Sequence, residues 1–105
     1  MNNKFKQLNL IDSCKNFYKK IKIKDQSHKG KYKLKSGFLD YLHYDSNYKV
    51  LTIYFKDGRI YEYYDFTEGD YRRFLVANCS GSASQFFHIH IKDRYITTGN
   101  YNRIK

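Results

Sequence analysis

His88, His90 and Asp93 come closest in this chain to a metal or acid–base site. On a strand, His-x-His places both rings on one face; on a helix the two splay apart. No third ligand stands at a fixed spacing and no carboxylate pair accompanies them, so the donor set of a structural or catalytic metal is missing. The expectation is polar surface on a C-terminal element. Cys14 and Cys79 stand alone, with no CxxC spacing. That predicts no disulfide framework, a reducing cytoplasm and no activated thiol. Ser80-Gly81-Ser82-Ala83-Ser84 is small and polar but lacks the Lys-Ser/Thr pair of a phosphate-binding loop, and reads as a plain loop. Together these residues predict a protein that is not an enzyme and takes no metal or cofactor.

Binding chemistry is easier to find. The net charge is +10, and its placement is uneven. Residues 1–35 carry 11 Lys against Asp12 and Asp25, a balance of +9; residues 36–105 carry 4 Lys and 5 Arg against 8 acids, a balance of +1. The cationic run is Lys19, Lys20, Lys22, Lys24, Lys29, Lys31, Lys33 and Lys35, with Tyr18 and Tyr32 interleaved. Such an arm is attracted to polyanions. Lysine is a flexible point charge, so it contacts phosphates without reading bases. Arg72, Arg73, Lys92 and Arg94 are candidates to extend that surface onto the folded part. A Lys-rich tail that only solvates the chain accounts for the same composition about as well.

Tyr61-x-Tyr63 is the second candidate, because tyrosines on a sheet face can stack bases. The candidate stacking residues are Tyr54, Tyr61, Tyr63 and Tyr64. Their exposure depends on one residue of hairpin register. A two-residue turn at Asp57-Gly58 pairs Tyr54 with Tyr61 and puts Tyr61 and Tyr63 on a platform with Tyr54 and Thr52, rimmed by Lys56 and Arg59. A three-residue turn with Gly58 left-handed pairs Ile53 with Tyr61 and sends both tyrosines to the face of Leu51, Ile53 and Phe55. Aromatic residues at strand spacing pack more often than they bind, so the reading leans to the core while both registers stay open.

The elements that must position these residues follow from periodicity. Phe5, Leu8, Ile11, Cys14, Phe17 or Tyr18, and Ile21 recur at helical spacing and predict a basic amphipathic N-terminal helix. Residues 22–35 read as a linker. Phe38–Tyr44, Lys49–Phe55 and Arg59–Tyr64 read as three strands separated by Asp45-Ser46-Asn47 and Asp57-Gly58. Thr67 caps a helix with Glu68 and Asp70 in its first turn, and Tyr71, Phe74, Leu75 and Asn78 share one of its faces. Ser82–Tyr95 fits either a strand or a short helix, and the chain beyond Tyr95 reads as coil. The predicted fold is α+β: a three-stranded antiparallel meander covered by one helix, plus a short C-terminal helix and the basic N-terminal helix. The predicted division is 1–35 as helix and linker and 36–105 as the domain. No apolar run is long enough to span a membrane, and the N-terminus lacks the apolar stretch of a secretory signal.

Taken in order, Ser36, Tyr44-Asp45, Leu51-x-Ile53-x-Phe55-x-x-Gly58, Tyr61-x-Tyr63, Phe66-x-x-x-x-Tyr71 and Phe86-Phe87-x-x-His90-Ile91-Lys92-Asp93-Arg94-Tyr95 resemble the KTSR domain. This is a small module of bacterial and phage proteins, also fused behind some lysyl-tRNA synthetases. The resemblance covers residues 36 to about 100. Thr67 stands where the family often has proline, and either Gly81 or Ser84 takes the place of a family glycine. The resemblance implies a short helix over Ser84–Ile91, suggests RNA binding and supplies no catalytic residue. The expected function is a non-enzymatic, cytoplasmic nucleic-acid-binding module, for RNA in preference to DNA. The alternative is a protein-interaction module, such as a phage or mobile-element protein that binds and modulates a host factor.

Overall fold

The structure is a computed structural model and describes residues 31–105. The expected N-terminal helix lies outside the described residues, as do Lys19, Lys20, Lys22, Lys24 and Lys29. The described chain is an α+β fold with one five-stranded antiparallel sheet in the order β1-β2-β3-β4-β5. The strands are β1 (Tyr32–Lys33), β2 (Leu39–Asp45), β3 (Val50–Phe55), β4 (Ile60–Tyr63) and β5 (Tyr101–Arg103). The central three are the expected meander. The expectation of three strands missed the two edges, because each is too short to show a period.

The first edge comes from the segment read as a linker. Tyr32 and Lys33 pair with Leu42 and Tyr41, and Leu34 is fully buried. The helix α1 (Glu68–Cys79) holds this edge. The Asn78 side chain donates to the Lys33 carbonyl at 3.2 Å and accepts from the Lys35 backbone N–H at 2.7 Å. The polar residue at the end of an otherwise apolar helical face is therefore the clasp for β1. The second edge comes from the segment read as coil. Gly99, at φ 72°, ends the last helix and turns the chain, so that Tyr101 and Arg103 lie beside Tyr63 and Tyr61.

The β3–β4 hairpin takes the three-residue register. Ile53 pairs with Tyr61 and Leu51 with Tyr63. The Phe55 N–H donates to the Arg59 carbonyl at 2.9 Å, and Gly58 sits at φ 97°, a conformation costly to any residue with a Cβ. The Asp57 carboxylate accepts from the Arg59 N–H at 3.0 Å and locks the turn.

Helix α1 covers the inner face of the sheet. Its Thr67 cap accepts from the Asp70 N–H, as the sequence predicts. Tyr71 stacks on Tyr44 of β2 with ring centroids 4.4 Å apart, and the Tyr44 hydroxyl donates to the Phe66 carbonyl. Residues 83–98 form one helical run: α2 (Ala83–Phe86), a π-helical turn (Phe87–Lys92) and α3 (Asp93–Thr98). Phe87, Ile91 and Tyr95 are buried, whereas Ile89 is 61% exposed, which is a helical and not a strand pattern. Phe86 stacks on Phe74 of α1, at 4.9 Å and 11° between ring planes. The Ser36 and Ser84 hydroxyls hydrogen-bond at 2.7 Å, and Ser36 also accepts from the Phe38 and Leu39 N–H groups, joining the start of β2 to α2. Cys79 is disulfide-bonded, where two isolated cysteines predicted no pairing. Among the described residues no helix is long and apolar enough to cross a membrane.

Candidate nucleic-acid interface

The two faces of the sheet are chemically different. Strand alternation sends Leu42, Tyr44, Leu51, Ile53, Phe55 and Tyr63 into the core. It sends Lys33, Tyr41, Tyr54 and Ile60 along one row of the other face, and His43, Thr52, Glu62 and Asn102 along the next. None of the described helices lies across this outer face; α1 and the run 83–98 pack on the inner one.

Lys31 and Lys33 of the basic run arrive on the outer face. The Lys31 ammonium lies 4.3 Å from the Tyr54 ring centroid and 5.8 Å from that of Tyr41. The Lys33 ammonium is 4.8 Å from the Tyr41 ring and also pairs with Asp40. The Asp40 hydrogen bond raises the Lys33 pKa, so this cation stays charged. Such cation–ring contacts at exposed sites contribute about 0.5–1 kcal/mol each. They also hold positive charge beside half-buried aromatic rings, the combination that single-stranded nucleic acids use. Tyr64 shares this face, and its hydroxyl donates to Glu62 at 3.0 Å.

The other candidates are divided by the tertiary structure. Lys35 turns to the helix layer, where its ammonium donates to the Cys79 carbonyl at the C-terminal end of α1. Arg73 and Arg94 both bind the Asp70 carboxylate, Arg94 at 2.7 Å. Burial pushes the Asp70 carboxyl up, but the two guanidiniums more than offset this and hold it below the usual aspartate range. One acid thus partly neutralises two of the arginines expected to extend the basic surface. Arg72 is exposed on α1. Tyr63 is only 5% exposed and has no free ring face to offer a base. Tyr61 is half-buried beside it.

Tyr61, Tyr63 and Lys92 instead meet at a separate cleft of about 260 Å³, between the hairpin end of the sheet and the C-terminal helical run. Phe38, Phe55, Phe87 and Tyr101 also line it. The rings of Tyr61, Tyr63 and Tyr101 lie about parallel, at 6.0 to 6.2 Å from one another and 16° to 27° between planes. His88 and His90 do not converge: His88 packs on Phe38 at the cleft, and His90 packs on Phe86. Sequence reasoning missed Tyr41, although its alternation with Leu42 and Tyr44 was a usable signal. It also missed Tyr95 and Tyr101 at the cleft; nothing in the pattern of residues 95–105 announces them.

Comparison with known proteins bears on the fold and the family. No curated protein matches the chain. A crystal structure of a KTSC domain protein from Yersinia pestis is similar, with a TM-score of 0.56 and 25% sequence identity, covering 72% of this chain and 94% of that one. The family pattern of the KTSC domain matches residues 35–95, most of the stretch from 36 to about 100 for which the motifs suggested the related name KTSR; KTSC is the family shown. The match over residues 35–95, more than half of the chain, shows that this chain belongs to the KTSC domain family.

Proposed function

We propose that the protein is a non-enzymatic nucleic-acid-binding module that takes single-stranded RNA on the outer face of its sheet. The observation that carries this reading is the seating of Lys31 and Lys33 over Tyr41 and Tyr54. It brings two lysines of the Lys-rich run onto the sheet face that the described helices leave uncovered. Bases stack on the tyrosines, and the lysines, including those N-terminal to β1, neutralise phosphates. Lys carries no base-reading geometry, so binding is tolerant of sequence.

Fluorescence anisotropy with a labelled oligouridylate tests this. Affinity falls steeply and log-linearly with salt, as counterion release requires. Tyr41→Ala and Tyr54→Ala each weaken binding by about 1–3 kcal/mol while the protein stays folded. A flat salt profile, or tyrosine variants that bind as tightly as the parent, overturns the proposal. Recovery of one stoichiometric protein from nuclease-treated bacterial lysate, together with that flat profile, favours the protein-interaction reading.

A further inference from the structure

The aromatic cleft has features that packing does not require. Its volume, about 260 Å³, lies just under the usual range for small-molecule sites of about 300–1,000 Å³, so it suits one compact ring-bearing molecule and not a chain. Its walls are ring faces and edges from the sheet and the C-terminal run. Its charged or titratable lining, apart from tyrosines, is Arg59, His88 and Lys92, with no carboxylate among the lining residues. Asp57 engages Arg59 through Nε at 2.8 Å, and the guanidinium lies 4.7 Å from the Phe55 ring. Lys92 is exposed, with no ion-pair partner among the described residues.

The floor holds the more informative observation. Tyr63 is more than nine-tenths buried, and its hydroxyl has no hydrogen-bond partner among the described residues. The neighbouring Tyr95 hydroxyl, by contrast, donates to the Tyr64 carbonyl at 2.7 Å. Burial, with the nearby Tyr61 and Tyr101 hydroxyls, pushes the Tyr63 phenol well above its ordinary pKa, so it stays a neutral donor. A buried donor left unpaired is costly, and buried polar groups are paired in the great majority of cases. Its location in an aromatic, cationic cleft points to a bound group that completes it.

We infer that this cleft is a binding site for a single nucleotide. The base packs into the cleft against the half-buried Tyr61 and the exposed Tyr101, the Tyr63 hydroxyl hydrogen-bonds a polar edge of the base, and Lys92 with Arg59 holds the phosphate. Planarity is selected by the rings and anionic charge by the rim. The site shares no residue with the outer face and does not rest on the reading of that face.

Titration of the full chain with adenosine and uridine 5′-monophosphates, followed by amide NMR shifts, tests this. The expected result is 1:1 binding with shifts at residues 59–63, 87–95 and 101. The uncharged nucleoside and inorganic phosphate each bind at least about tenfold more weakly, since each lacks one half of the recognition, worth about 1.4 kcal/mol or more. Lys92→Ala, at an exposed position, weakens the nucleotide by about tenfold without moving the melting temperature. Tyr63→Phe weakens it similarly, yet leaves the unliganded protein as stable or more stable, because the hydroxyl it removes is unpaired. A second arm compares 5′-phosphorylated with 5′-hydroxyl oligouridylate: preference for the phosphorylated strand makes its terminal nucleotide the occupant, and equal binding of the strands makes the free nucleotide the occupant. Shifts confined to Lys31, Tyr41 and Tyr54, equal binding of inorganic phosphate, or a Tyr63→Phe variant that melts lower and binds as before overturns the inference.

Discussion

The two faces of one sheet hold tyrosine in different surroundings. On the inner face Tyr44 and Tyr63 are buried, with Tyr71 of α1 stacked on Tyr44, among Phe66, Phe74, Phe86 and Phe87. On the outer face Tyr41, Tyr54 and Tyr64 are half-buried and lie beside lysines and an acid. The same side chain is a core residue where a helix covers it and a partly exposed one where none of the described helices does. Aromatic content by itself therefore predicts neither packing nor binding; the layer on the other side of the ring decides.

The contrast can be broken by mutation, most severely from inside. Phe74→Ala removes a fully buried ring stacked on Phe86 and ties α1 less well to the run 83–98; chemical denaturation should show a loss of about 3–5 kcal/mol. A loss below about 1 kcal/mol would mean that the two helical segments do not share a core. Asn78→Ala is smaller and more local. It frees the Lys33 carbonyl and the Lys35 N–H, at a cost of about 1–3 kcal/mol, and amide exchange should rise at residues 32–35 before anywhere else in the sheet.

From outside, the effects shrink. Tyr54→Ala on the outer face loses a cross-strand contact and the Lys31 cation–ring contact, each worth at most about 1 kcal/mol of stability, and its larger damage should appear in RNA affinity. If its stability cost matched that of Phe74→Ala, the outer face would be a second core. The smallest effect is electrostatic. The folded-state pKa of Asp70 is depressed, so the stability contributed by its contacts with Arg73 and Arg94 is present above its ordinary pKa near 3.8 and is lost as pH falls through the lower, folded value. Asp70→Asn should therefore flatten the acid limb of a stability–pH profile and release two arginines that its carboxylate now holds. The partly exposed setting of these ions keeps the change small.

Much of this was legible beforehand where local rules and burial agree. The three central strands, the Thr67 cap and the buried face of α1 follow from alternation, turn chemistry and helical spacing, each a property of a few neighbouring residues. The edges were not legible, since two or three residues cannot display a period. Nor was Asp70 as a common partner for Arg73 and Arg94, because Arg94 lies 24 positions away in sequence.

The sequence by itself determined the uneven charge, the α+β class and the presence of a Tyr-x-Tyr strand, because these rest on composition and on periods of two and 3.6 residues. Only the tertiary structure decided which face of the sheet its tyrosines occupy. A three-residue turn at Gly58 shifted the register by one, and in a strand one residue is the difference between faces. It buried Tyr63, left its hydroxyl without a partner among the described residues, and brought the rings of Tyr61 and Tyr101 beside it. The lysines were visible from the start, but pairing β1 with β2 was needed to place Lys31 and Lys33 over Tyr41 and Tyr54.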